Sequence, residues 1–239
     1  MIARIALLFL AASALAAALP TAAREATWAG VKWATVDIDD GGRVVAIELE
    51  PDLTPAFEAA LRHEIATWAF EPARIDGAAV ASRTHLFVNL RASDLGAGRA
   101  GVQVVSVSNG PRPTGKRDMH YPDRAVERRV QGTVMLTLTV AADGSVAHAA
   151  ADAEAHPLLR SAALRSAGGW RFIPEQVAGQ PVATRIRAPV AYCITVDTET
   201  CRDAGTDAAG APARHPDEMV AIDSPVRLKA DPAGRVLGG

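Results

Sequence analysis

Apolar and polar positions alternate along "VKWATVDI" (31–38) and "TVMLTLTV" (133–140), a pattern that predicts two half-buried strands. Each is followed by a glycine-containing turn, "DDGG" or "AADG", and by a second strand, "RVVAIEL" or "SVAHAAA". The period then becomes helical. Pro55 and Pro157 open the helices at a position where a missing N–H is harmless, and Thr54 is the expected N-cap of the first. Phe57, Ala60, Leu61, Ile65 and Trp68 make one apolar stripe, matched by Leu159, Ala162, Ala163 and Ala167 in the second helix, which Gly168-Gly169 loosens at its end. A turn around Gly77 or Gly179 leads into a long third strand, "VASRTHLFVNL" or "VATRIRAPVAYCI". The predicted unit is β-β-α-β, a three-stranded antiparallel sheet packed on a helix. The fold class is α+β, with two such small domains.

The two units share one register. An offset of 102 positions relates Gly30 to Gly132, Gly42 to Gly144, Pro55 to Pro157, Trp68 to Trp170, Phe70 to Phe172, Pro72 to Pro174 and Gly77 to Gly179. Chance supplies an isolated Ala or Val match, but not Trp, Phe, prolines and glycines in one frame, so the chain reads as an internal duplication. Trp-x-Phe-x-Pro, present at 68–72 and 170–174, falls where each helix ends and the chain turns toward its last strand. Large aromatics bury area there and proline stops the helix, so these residues specify a fold and perform no chemistry.

Composition adds an organisation. Residues 1–23 place Arg4 ahead of an apolar run from Ile5 to Leu19, and Thr21 and Ala23 then stand at the −3 and −1 positions of a cleavage before Arg24. That is the layout of a signal peptide and predicts export. The first domain is expected over 27–92, a Gly/Ser/Pro-rich linker with one strand over 93–118, the second domain over 119–201, and a flexible tail over 202–239. Within the tail, "SPVRLKADPAGRV" is either a vestigial third repeat or part of a disordered end. Cys193 and Cys201 either close a disulfide over "ITVDTET", as an oxidising compartment favours, or remain free thiols.

A net charge of −2 and a pI near 6.3 exclude the basic footprint of a nucleic-acid binder. "GPRPTGKR" (110–117) approaches a P-loop but has Arg117 where Mg²⁺ coordination needs Ser or Thr, so no nucleotide is expected. "GAGRAG" (96–101) precedes a strand rather than a helix, and His63-Glu64 has Thr67 where a zincin helix needs its second ligand. No catalytic residue, cofactor or metal is expected.

The second half resembles a known family. "YPDRAVERRVQGTVMLTLTVAADGSV", the Pro157 helix, "WRFIP", "GQPV" and "APVAYCI" look like the C-terminal domain of TonB, over residues 120–194. The first half resembles it more loosely, with Ala-Ala where Gly-x-Pro would stand. The resemblance implies a Gram-negative, non-enzymatic envelope protein. It would recognise an extended peptide of an envelope partner, such as a TonB-dependent outer-membrane receptor, by β-strand addition to an exposed last strand. Arg185, Ile186, Arg187, Val190 and Tyr192 on that strand are the candidate partner-binding residues. Two rival readings remain: an energy transducer with an uncleaved inner-membrane anchor, and an accessory of a periplasmic peptidase or hydrolase.

Sheet edges give the last expectation, because an unpaired edge must be protected or used. Val102 to Val107 is expected to fold back on Ser82–Leu90 and close the first domain. The second domain's last strand lacks an equally strong neighbour. Met219–Leu228 can cover it only if Pro225 lies at a bulge or faces outward. The second domain is then the binding copy, and the two domains are expected to fold nearly independently.

Overall fold

The computed structural model describes residues 29–51, 53–94, 100–115, 119–194 and 218–237. The expected leader over 1–23, Cys201 with its disulfide to Cys193, and the tail over 202–217 lie outside the described residues.

Strands β1 (Ala29–Ile38) and β2 (Val44–Leu49) form a hairpin followed by helix α1 (Pro55–Ala66). Short strands β3 (Phe70–Glu71), β4 (Ala73–Ile75) and β5 (Ala78–Val80) lead into the long β6 (Ser82–Asp94). β7 (Ala100–Gly110) and β8 (Arg112–Thr114) follow. The second half opens with helix α2 (Asp123–Glu127), then β9 (Gly132–Val140), β10 (Val146–Ala151) and α3 (Pro157–Ala167). It continues through β11 (Arg171–Ile173), β12 (Gln176–Val177), β13 (Gln180–Pro181) and β14 (Thr184–Tyr192). Near the C-terminus come β15 (Val220–Ala221), β16 (Arg227–Leu228) and β17 (Val236–Leu237).

The shared register has a physical cause at two glycines. Gly42 and Gly144 both adopt φ of 80°, which favours glycine. A Cβ at Gly42 would lie 1.9 Å from the Phe70 carbonyl oxygen, and one at Gly144 would lie 2.0 Å from that of Phe172. The close approach lets Phe70 N–H donate to Gly42 O and Phe172 N–H to Gly144 O, each at 2.8 Å. Trp-x-Phe-x-Pro therefore docks the chain leaving the helix onto the β1–β2 or β9–β10 turn, and the motif and the turn glycine keep a fixed spacing. Thr54 caps α1 through its carbonyl alone, accepting from Glu58 N–H, with no side-chain bond.

Two cores result. One packs Leu61, Ile65, Trp68 and Phe70 against Val36, Ile38, Leu86 and Val88. The other packs Leu159, Ala162, Ala163 and Trp170 against Leu136, Leu138, Ile186 and Val190. The α+β class stands, but the sheets are larger than three strands. The first runs β2-β1-β6-β7 with β17 outside β7, and the second runs β10-β9-β14-β15.

The strand expected within 93–118 closes the first sheet's edge as anticipated: β7 pairs antiparallel with β6 from His85 to Asp94, running longer than Val102 to Val107, and β8 pairs with β11. Two expectations are corrected. The tail beyond 217 is structured, with Met219, Val226 and Leu237 buried. β16 pairs with β3 and β17 with β7. Its Asp, Gly and Pro content masked a few apolar anchors placed one strand apart. Nor are the halves separate units. β12 adds to the edge of β6 at Ser82 and Arg83, and Trp33 of β1 packs on the second core.

Candidate functional site

β14 is held along one side by β9 over its whole length, from Thr184 opposite Val140 to Tyr192 opposite Gly132. On the other side β15 covers it at Ile186 and Arg187, with Ile222 N–H donating to Arg185 O at 2.8 Å. Beyond Arg187 no strand is paired on that side among the described residues. Arg185 N–H also points outward, to the Asp223 carboxylate at 2.6 Å. Odd-numbered residues of β14 thus turn their main-chain groups to the outer edge. Pro189 is one of them, so its missing N–H removes no bond to β9 and blunts the edge instead. Pro189 O and both main-chain groups of Ala191 face that side with no strand partner among the described residues.

The candidate side chains divide by parity. Ile186, Val190 and Tyr192 point into the second core and are almost fully buried. The Tyr192 ring meets Tyr121 edge-on at 5.2 Å, while the Tyr121 hydroxyl donates to Val130 O at 2.6 Å. Burial pushes both phenols up in pKa, and Tyr192 is further pulled down by Arg165 and pushed up by Tyr121. These three residues shape the strand from behind rather than face a partner.

Arg185 and Arg187 are on the exposed face, as their alternation predicts, and both already hold acidic partners of this chain. Arg185 Nε donates to Asp223 Oδ2 at 2.7 Å, and Arg187 Nη2 reaches across β9 to Asp152 Oδ2 at 2.7 Å. Partial burial raises the Asp223 pKa, but the Arg185 side-chain and main-chain bonds outweigh it and hold that carboxyl below its ordinary value. Exposed pairs of this kind contribute about 0–1 kcal/mol, so either arginine can exchange its partner at little cost.

A second cluster joins this strand to the rest of the molecule, and sequence reasoning missed it. Glu175, fully buried, accepts from Thr84 Oγ1 at 2.6 Å, Ser224 Oγ at 2.7 Å and Thr184 Oγ1 at 2.9 Å. One carboxyl thereby ties β6, β14 and the tail. The only signal in the sequence is an acid directly after the second Trp-x-Phe-x-Pro, where the first copy has Ala73. Nearby, buried His85 meets Thr35 Oγ1 at 2.9 Å and Pro174 O at 3.4 Å. Among the described residues, no group of His, Cys, Asp and Glu is arranged to hold a metal ion.

A helix-backed antiparallel sheet whose exposed chemistry is main-chain along one outer strand defines a small α+β interaction module. Residues 117–194 match the family model described as the Gram-negative bacterial TonB protein C-terminal, so this segment carries a TonB C-terminal domain. The family consists of non-enzymatic, envelope-associated protein-interaction domains. No curated protein and no solved structure matches the chain. Among the described residues no helix is long and apolar enough to cross a membrane.

Proposed function

We propose that the chain is a periplasmic protein that holds an extended peptide of an envelope partner by strand addition to β14, a TonB-dependent outer-membrane receptor being the partner class the family suggests. One observation carries this reading: β14 is the last strand of the TonB C-terminal segment, and its outer edge from Ala188 onward has no strand partner among the described residues. Main-chain pairing supplies affinity there, while Arg185 and Arg187 select acidic flanks. Export by a leader over 1–23 and the Cys193–Cys201 disulfide belong to the same proposal. The test is a photo-reactive residue placed at Ala191 in cells, with Val45 on β2 as control. Adducts to a defined protein segment from Ala191 alone support the reading. Equal adducts from both positions, or none, overturn it.

A further inference from the structure

The part of the β14 edge that is covered is covered by the chain's own residues 218–224. Val220 stands opposite Arg187 and Ala221 opposite Ile186. Asp223 then binds Arg185 twice, through the main-chain N–H and through Nε. On its other flank the same segment lies along β7, where Ser106 Oγ donates to Glu218 Oε2 and Ser108 Oγ donates to Met219 O. Alternate residues face the protein in different ways. Met219 is buried in the second core. Ala221 faces Gly110, where an added Cβ would meet the Ala221 Cβ at 3.1 Å. The space left beside it, lined by Trp33, His85, Phe87 and Ile186, is about 10 Å³, room for nothing larger than a water.

We infer that residues 218–224 are a built-in occupant of the β14 edge, displaced by an external peptide that copies their pattern: an apolar residue, then a small residue two positions on, then a carboxylate two positions further. This rests on the strand-addition reading and gives the partner its chemistry. The first half shows what a full-length cover looks like, since β7 pairs with β6 from His85 to Asp94, interrupted only by a register shift between Asn89 and Leu90. The β15 cover pairs with only two residues of β14 and is fixed to that strand by an exposed ion pair. Its other anchors, Met219 in the second core, the bonds to β7 and Ser224 on Glu175, lie off the β14 edge. An external strand that also reaches Ala191 gains main-chain bonds that β15 does not make.

The test uses the full chain carrying Val220→Pro and Asp223→Ala, with amide exchange as readout and the heptapeptide EMVAIDS, a copy of residues 218–224, as probe. Exchange at Arg185 and Arg187 should quicken at least tenfold in the variant, while β9 amides keep their protection. The copy peptide should restore slow exchange. Peptides with Asp→Asn, or with Ala→Leu at the small position, should each need at least tenfold more to do so. Unchanged exchange in the variant, or equal potency of the three peptides, overturns the inference. If β9 loses protection, Asp223→Asn alone is used, and it must quicken Arg185 exchange severalfold or the inference fails. Adducts from Ala191 that are absent in both wild type and Asp223→Asn sink strand addition itself. Adducts equal in both, with Arg185 exchange unchanged, sink only the displaceable occupant.

Discussion

His85 and Glu175 titrate in opposite senses where β6 meets the second half of the chain. Burial lowers His85 to about 4, against an opposing Pro174 carbonyl and with help from Arg112 and Arg83. The folded protein therefore holds the ring neutral. The unfolded chain takes up a proton as pH falls through the ordinary histidine value, and stability is lost from there down to about pH 4. A shift of this size corresponds to about 3 kcal/mol. His85→Gln should remove that loss, so urea titrations at pH 7 and pH 4 should show the variant gaining on wild type by up to this amount. Burial raises Glu175, even though Thr84, Ser224 and Thr184 donate to it. Its raised pKa favours the folded state below the ordinary glutamate value, and the benefit fades as pH climbs through the raised one. Glu175→Gln should accordingly be more damaging at pH 4 than at pH 8 in the same titrations. At the turn, Gly144→Ala should destabilise by more than about 1 kcal/mol, because a φ of 80° and the Phe172 carbonyl both oppose a Cβ. Thermal unfolding checks it.

Pro189 sets the behaviour of strand β14. Replacing it with Thr restores an outward N–H on an exposed edge, and the variant should self-associate at concentrations where wild type does not, as sedimentation would show. Strands β1, β2, β6, β9, β10 and β14, helices α1 and α3 and the turn glycines were legible because alternation and helical spacing are local signals, and β7 announced itself by "VQVVSV". The strands of two or three residues and the five-residue α2 were not, since elements so short carry no period, and β15, β16 and β17 pair only with distant segments. Of the site, the exposed arginines followed from parity, while Asp223 and Asp152 as their partners did not, because ion pairing across a sheet leaves no spacing rule. The run "THLFVNL" held an unused clue. It lacks polar alternation, and the structure buries Thr84 through Leu90 on both faces of β6.

For the molecule as a whole, the interlocking of halves changes what unfolding should look like. Trp68→Ala and Trp170→Ala should each destabilise by about 3–5 kcal/mol, the range for emptying a buried aromatic site. With β12 on β6, β8 on β11 and Glu175 bridging three segments, both should shift one common transition rather than one half each. Two resolved calorimetric transitions would show that the halves unfold separately. The strands near the C-terminus carry a further consequence, for synthesis. Arg235 reaches Glu64, a partner 171 positions earlier, and β17 and β16 complete edges laid down by β7 and β3. At ribosomal speeds of roughly 5–20 residues per second, the first half waits on the order of ten to thirty seconds for its last strands. During that interval the nascent chain carries unfinished edges, and a product terminated before β16 and β17 leaves β3 and β7 without those partners.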